Sequence, residues 1–82
     1  GVIRVSTVQP GANNWAIKVI RERLWLKGFR GQKQPLGTSA AQDYTDAYSN
    51  WQRKLGYKGA DADGHPGKTS LSKLLPDFVI LD

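Results

Sequence analysis

The stretch ADGHPGKT, Ala62 to Thr69, holds the residues in this chain whose spacing best fits a chemical motif. It matches the phosphate-binding pattern G-x-x-x-x-G-K-[ST] apart from Ala62 at the first glycine. Such a loop works because successive backbone N–H groups point inward, between a buried parallel strand and a long helix. Here the preceding residues are Leu55-Gly56-Tyr57-Lys58-Gly59-Ala60-Asp61, which do not read as a buried strand. Pro66 removes one donor, and Asp61 and Asp63 put negative charge where a triphosphate would sit. Asp61-x-Asp63-Gly64 also opens like a calcium-binding loop. In that register, though, glycine falls at the fourth position instead of the sixth, and Ser72 stands where a bidentate Glu is needed. His65 has no cysteine or second histidine to share a metal. No Ser/His/Asp or Cys/His set exists for nucleophilic catalysis. The chain is therefore read as having no catalytic residue, no metal site and no cofactor.

The same stretch makes sense as a helix entrance. Asp63-Gly64 forms a tight turn, with Asp63 free to bond nearby backbone N–H groups. Pro66-Gly67 then breaks the chain, and Thr69 and Ser70 offer hydroxyls to the first helical turn. Pro35-Leu36-Gly37-Thr38-Ser39 stands in the matching place 31 residues earlier. That match belongs to a wider internal repeat. Ala16-Ile17-x-x-Ile20-x-x-x-Leu24 returns as Ala47-Tyr48-x-x-Trp51-x-x-x-Leu55, and Gly28-Phe29-Arg30-Gly31 returns as Gly56-Tyr57-Lys58-Gly59. Each unit reads as helix, glycine-bounded turn and loop, then the start of the next helix.

Three helices follow from periodicity. The first runs from a cap at Asn14 to about Lys27. It has a core stripe of Ile17, Ile20 and Leu24, and a second cluster of Trp15, Val19 and Leu26 on nearly the opposite side. Trp25 falls between the two and should be partly exposed. The terminal runs Val2–Val5 and Phe78–Leu81 are β-prone; they are expected to pair and to cover the Trp15 side. In the second helix Ala40, Tyr44, Ala47, Tyr48, Trp51 and Leu55 form one stripe, with Asp46, Ser49, Asn50 and Arg53 opposite. Thr38 or Ser39 is expected to cap it, with Ser39-x-x-Gln42 at capping-box spacing and Gly56 ending it. The third helix runs from about Lys68 to Leu75, before Pro76. The fold class is mainly α: three short helices in pseudo-duplicated units around one core.

At 82 residues the chain is a single domain, residues 1–82, too small for a nucleotide-binding α/β sheet. Apolar residues make up 39% and charged residues 23%, an ordinary globular balance. There are no cysteines to report on redox compartment. No apolar run approaches the roughly 20 residues that span a bilayer. No signal-peptide pattern opens the chain, so export is expected to depend on a parent protein or another route. The formal charge of +5 suits an anionic partner: nucleic acid, acidic lipid or an anionic wall polymer.

Two runs of residues now carry a family resemblance: Ala47-Tyr48-x-x-Trp51-Gln52-Arg53-x-Leu55-Gly56-Tyr57, and Gly59-Ala60-Asp61-Ala62-Asp63-Gly64-x-Pro66-Gly67-x-Thr69-Ser70-Leu71. Together they resemble the peptidoglycan-binding-domain-like family, and more narrowly the cell-wall-binding modules of actinobacterial wall proteins and actinophage endolysins. Val8-Gln9-Pro10-Gly11, Asn14, Ile17-x-Val19-Ile20-x-x-x-Leu24 and Gly28-Phe29 extend the similarity over most of the chain. The resemblance implies a three-helix fold from a degenerate duplication, and a non-catalytic module that anchors a peptidoglycan hydrolase or phage endolysin at the bacterial cell wall. The parent protein would be secreted or phage-released. Two departures stand out: Arg21 sits where the first helix often has Gln, and the loop Gly31-Gln32-Lys33-Gln34-Pro35 is basic and lacks an Asp-Gly pair.

Glycan recognition needs aromatic faces for sugar C–H groups and polar side chains for hydroxyls and amides; Arg or Lys would meet the wall's carboxylates. The ligand-binding candidates are Trp25, Arg53, Tyr57, Asp63, His65 and Lys68. Five of them also have a structural reading: Trp25 as edge cover, Tyr57 as turn packing, Asp63 as a turn former, Arg53 and Lys68 as solvated surface. The expected partner is peptidoglycan, through its glycan strand or stem peptide, bound by a monomer without nucleic acid or membrane. Two rival readings are a small basic three-helix nucleic-acid-binding domain and a protein-interaction module using the Trp15/Val19/Leu26 side. Against the first, the third helix offers only Lys68 and Lys73, and no arginine-rich stripe is present.

Overall fold

The computed structural model describes all 82 residues. Three helices, α1 (Trp15–Leu26), α2 (Gln42–Lys54) and α3 (Lys68–Leu74), enclose one core, and two short strands, β1 (Val2–Arg4) and β2 (Val79–Leu81), join the chain ends. Short 3₁₀ turns occupy Val5–Thr7 and Gly59–Asp61. No helix is long and apolar enough to cross a membrane. Ile17, Ile20 and Leu24 are fully enclosed, as are Tyr44, Tyr48, Leu71, Leu74 and Leu75, and Trp51 is only 6% exposed. Ile20 and Trp51, equivalent positions of the two repeats, thus enter the same interior. Each enclosed aliphatic side chain contributes on the order of 1.5–3 kcal/mol of burial.

The repeat is visible in backbone geometry. Gly28 and Gly56 end α1 and α2 at φ of 100° and 101°. In both, the glycine N–H bonds the carbonyl three residues back (Trp25, Arg53), and the next N–H (Phe29, Tyr57) bonds the one five back (Leu24, Gln52). These are two copies of one glycine-terminated helix exit. Asn14 caps α1 as expected, its Oδ1 accepting from the N–H groups of Ala16 and Ile17.

Other expectations need correction. α2 begins at Gln42, with Ala41 at the cap position and no side-chain cap. Ser39 is occupied elsewhere: its backbone pairs with Asn13, and its carbonyl receives two bonds from Arg21. Thr38 Oγ1 donates to Asn13 Oδ1 instead of capping. Ser49, placed on α2's polar side, is buried because its hydroxyl donates to the Ala62 carbonyl. The terminal strands do pair, in parallel, with Val2 opposite Val79, Ile3 opposite Ile80 and Arg4 opposite Leu81. They do not cover the second face of α1. Ile3 and Ile80 point into the core, while Trp15 stays 57% exposed and Leu26 75% exposed. Val19 is half-buried against the core.

Candidate functional site

Gln52 sits one residue beyond Trp51, and its side chain is almost wholly enclosed. Its Oε1 accepts from the Gly64 N–H at 2.7 Å, and its Nε2 donates to the His65 carbonyl at 3.1 Å. A buried amide that meets both a backbone donor and a backbone acceptor leaves no polar group unpaid and fixes the loop against α2. The loop is tied down elsewhere by Ser49, which donates to the Ala62 carbonyl, and by Gln9, whose Nε2 donates to the Pro66 carbonyl at 2.8 Å. Gly64 makes the approach feasible. Its φ is 78°, and a Cβ there would overlap the Thr45 carbonyl.

The same anchoring engages much of the backbone of ADGHPGKT. The Gly64 N–H is taken by Gln52, the His65 N–H by Asp63 Oδ1 at 2.9 Å, and the Gly67 N–H by Ser70 Oγ at 3.3 Å. Pro66 has no N–H to give. Three backbone donors of the stretch are therefore already engaged by the protein itself, and a fourth is missing at Pro66, which leaves a poor cradle for phosphate. Ser70 also meets the buried Tyr48 hydroxyl at 2.6 Å, and its carbonyl accepts from Trp51 Nε1 at 3.1 Å, so the start of α3 is bolted to α2. Burial pushes the Tyr48 hydroxyl well above the usual phenol range, against the opposing effect of its hydrogen bond with Ser70. No three His, Asp or Glu side chains converge as a metal-binding group would require.

Between the Gly56 exit of α2 and the start of α3 lies an open groove of about 650 Å³. It brings together four of the six sequence candidates: Tyr57, Asp63, His65 and Lys68. Tyr57 is half-buried at the helix exit, with an N–H to Gln52 carbonyl bond of 3.0 Å holding it. Asp63 makes the expected turn bond to His65 N–H, and its Oδ2 lies 4.0 Å from His65 Nδ1. Lys68 Nζ is 3.9 Å from the Asp82 carboxylate, both largely in solvent. The remaining two candidates lie outside. Arg53 is on the exposed side of α2, where it donates to Asn50 Oδ1 at 2.8 Å. Trp25, partly exposed as expected, lines a separate cleft with Glu22, Leu26 and Leu36, its ring covered by Arg30 at 4.9 Å. The groove also recruits Lys58, Asp61 and Thr69, which sequence reasoning did not select. Lys58 was readable as the repeat partner of Arg30; Asp61 and Thr69 carried no signal beyond their place in the loop.

The first repeat departs at the equivalent place. Arg21, in register with Gln52, is buried and grips its own loop as an ion. It donates to Asp43 at 2.8 and 2.9 Å, to the Ser39 carbonyl at 2.7 and 3.0 Å, and to Gln32 Oε1 at 3.0 Å. Gln32 Nε2 returns a bond to the Arg21 carbonyl at 2.9 Å. Asp43 also accepts from the Lys33 N–H at 2.9 Å. Arg21's hydrogen bonds hold the Asp43 carboxyl far below the usual carboxylate range, against the opposing effect of burial.

Comparison of the chain with protein-family models, curated proteins and solved structures finds no match.

Proposed function

We propose that this chain is a non-catalytic module of the peptidoglycan-binding-domain-like type that binds bacterial peptidoglycan. The parent protein would be a peptidoglycan hydrolase or phage endolysin acting at the cell wall. The observation that carries the reading is the groove beside α3. One half-buried aromatic ring, two ammonium groups, an imidazole and two carboxylates share one shallow, prearranged surface there. Peptidoglycan presents sugar C–H faces, amides, hydroxyls and stem-peptide carboxylates. A tyrosine face suits the first, Asp and Thr side chains the hydroxyls and amides, and Lys58 and Lys68 the carboxylates. The anchored loop fixes the backbone that carries these groups without ligand, so binding has to order side chains but not the loop.

The test is co-sedimentation of the 82-residue chain with purified peptidoglycan stripped of accessory polymers. The folded chain is expected to pellet, and Tyr57→Ala is expected to weaken binding about tenfold, roughly 1.4 kcal/mol. A folded chain that stays in the supernatant at low salt overturns the proposal.

A further inference from the structure

Arg53 lies outside the groove, among cations that the groove does not use. From Arg23 to Gln42 and again from Ala47 to Ala60 the sequence contains no acidic residue. The fold brings these two stretches together at the exits of α1 and α2. Lys27 Nζ stands 5.5 Å from the centre of the Trp51 ring, and Phe29 packs edge-on against Trp51 at 6.0 Å. Lys54, three residues beyond Trp51, follows on the same side of α2. Arg30 borders the small cleft that contains Asn50, and Asn50 is the acceptor for Arg53. Lys27, Arg30, Arg53 and Lys54 are all exposed, and none lies within ion-pair distance of a carboxylate. Two carboxylates also line that cleft, and both are engaged: Asp43 is paired with Arg21, and Asp46 accepts from Gln42 Nε2.

Part of this charge serves the helix ends: Arg30 Nε donates to the Trp25 carbonyl in the last turn of α1 at 2.7 Å, and Lys27, Arg53 and Lys54 lie at the C-termini of α1 and α2, where cations complement the helix dipole. All four nonetheless stay exposed and without a carboxylate partner. Four unpaired cations from two chain segments repel one another; a polyanion relieves that repulsion and gains by releasing its own counterions. We infer that this face is a second binding surface, for a flexible phosphodiester polymer. With the proposed wall-binding function as premise, the occupant is a polyol-phosphate polymer of the cell wall.

Other polyanions fit less well. Helix ends, not helix flanks, form the surface, so no helix is presented to a duplex groove. The aromatic rings at this face offer a single nucleic acid strand little to stack on: Arg30 lies over Trp25, Lys27 over the buried Trp51, and Phe29 is half-buried edge-on against Trp51. A lipid surface would have Leu26 as the large exposed apolar side chain beside these cations, too little for insertion.

The experiment is a titration of the chain with purified poly(glycerol phosphate), repeated over a range of salt. Binding is expected to weaken with salt. Lys27→Gln with Lys54→Gln should weaken it at least tenfold at low salt and reduce the log–log salt slope by about 1.4, as for two lost phosphate contacts on a flexible strand. Lys18→Gln with Lys73→Gln removes equal charge elsewhere and should change affinity less than twofold; equal loss from both pairs overturns the assignment. Tighter patch-dependent binding to a single-stranded oligonucleotide of equal charge overturns it in favour of nucleic acid. Binding to vesicles containing phosphatidylglycerol but not to the polymer overturns it in favour of a membrane, and binding to none of the three overturns it outright. Stripped peptidoglycan holds no such polymer, so co-sedimentation with it, and its loss in Tyr57→Ala, reports on the groove independently.

Discussion

Gly64 contributes to the groove through the side chain it lacks, because its α-carbon lies against the Thr45 carbonyl where the second loop meets α2. Gly56 also has positive φ but faces open space. The two glycines therefore separate backbone strain from steric overlap. Gly56→Ala is expected to cost about 1 kcal/mol, the ordinary penalty for an L-residue in that conformation. Gly64→Ala adds a collision with backbone that cannot rotate away, and is expected to cost more than about 3 kcal/mol. Urea unfolding of both variants measures the difference, and equal losses would contradict the described approach. At this scale the sequence was informative where a residue acts on its neighbours. The turn formed by Asp63 and the cap at Asn14 were both readable. What it did not announce was Ser49 or Gln52 as anchors, since their partners lie in a loop more than ten residues away.

Between elements, the Arg21–Asp43 pair fastens α1 to the start of α2, a task that Gln52 performs without charge in the other repeat. Periodicity located all three helices, because each buries a stripe of its own residues. It misplaced the start of α2, because Ser39 is claimed by Arg21 and Asn13 from outside the local window. It also assigned the terminal strands to the wrong face of α1, since an apolar cluster such as Trp15 and Leu26 does not say what, if anything, lies over it. The charged fastening has a pH signature. With its folded-state pKa held below the unfolded value of about 3.9, Asp43 contributes stability that is complete above roughly pH 5. That contribution is lost as pH falls through the unfolded value toward the lower folded one. Asp43→Asn is expected to cost about 2–3 kcal/mol at pH 7, at or below the low end for a broken buried pair because Asp43 keeps some solvent contact. The same change should flatten the decline in stability between about pH 5 and 2, as followed by thermal melts. Asp77, lowered to about 2 by its hydrogen bonds from Arg23, titrates in the same window but in the open, so it should leave only a shallow residual slope.

On the scale of the whole molecule, the groove beside α3 and the cationic face at the helix exits are neighbours, since Lys58 follows Arg53 and Lys54 into the groove. What closes the molecule is the pairing of β1 with β2, whose shared direction has a mechanical consequence. Tension applied at Gly1 and Asp82 would drag the two strands past each other lengthwise, loading their hydrogen bonds in shear together instead of peeling them apart singly. Ile3 and Ile80 would have to leave the interior in the same event. Single-molecule stretching through the two ends should therefore give one abrupt rupture, at a force well above that needed when the same chain is pulled from Gly1 and Gly37. A tether that must hold against a moving load would gain from that geometry.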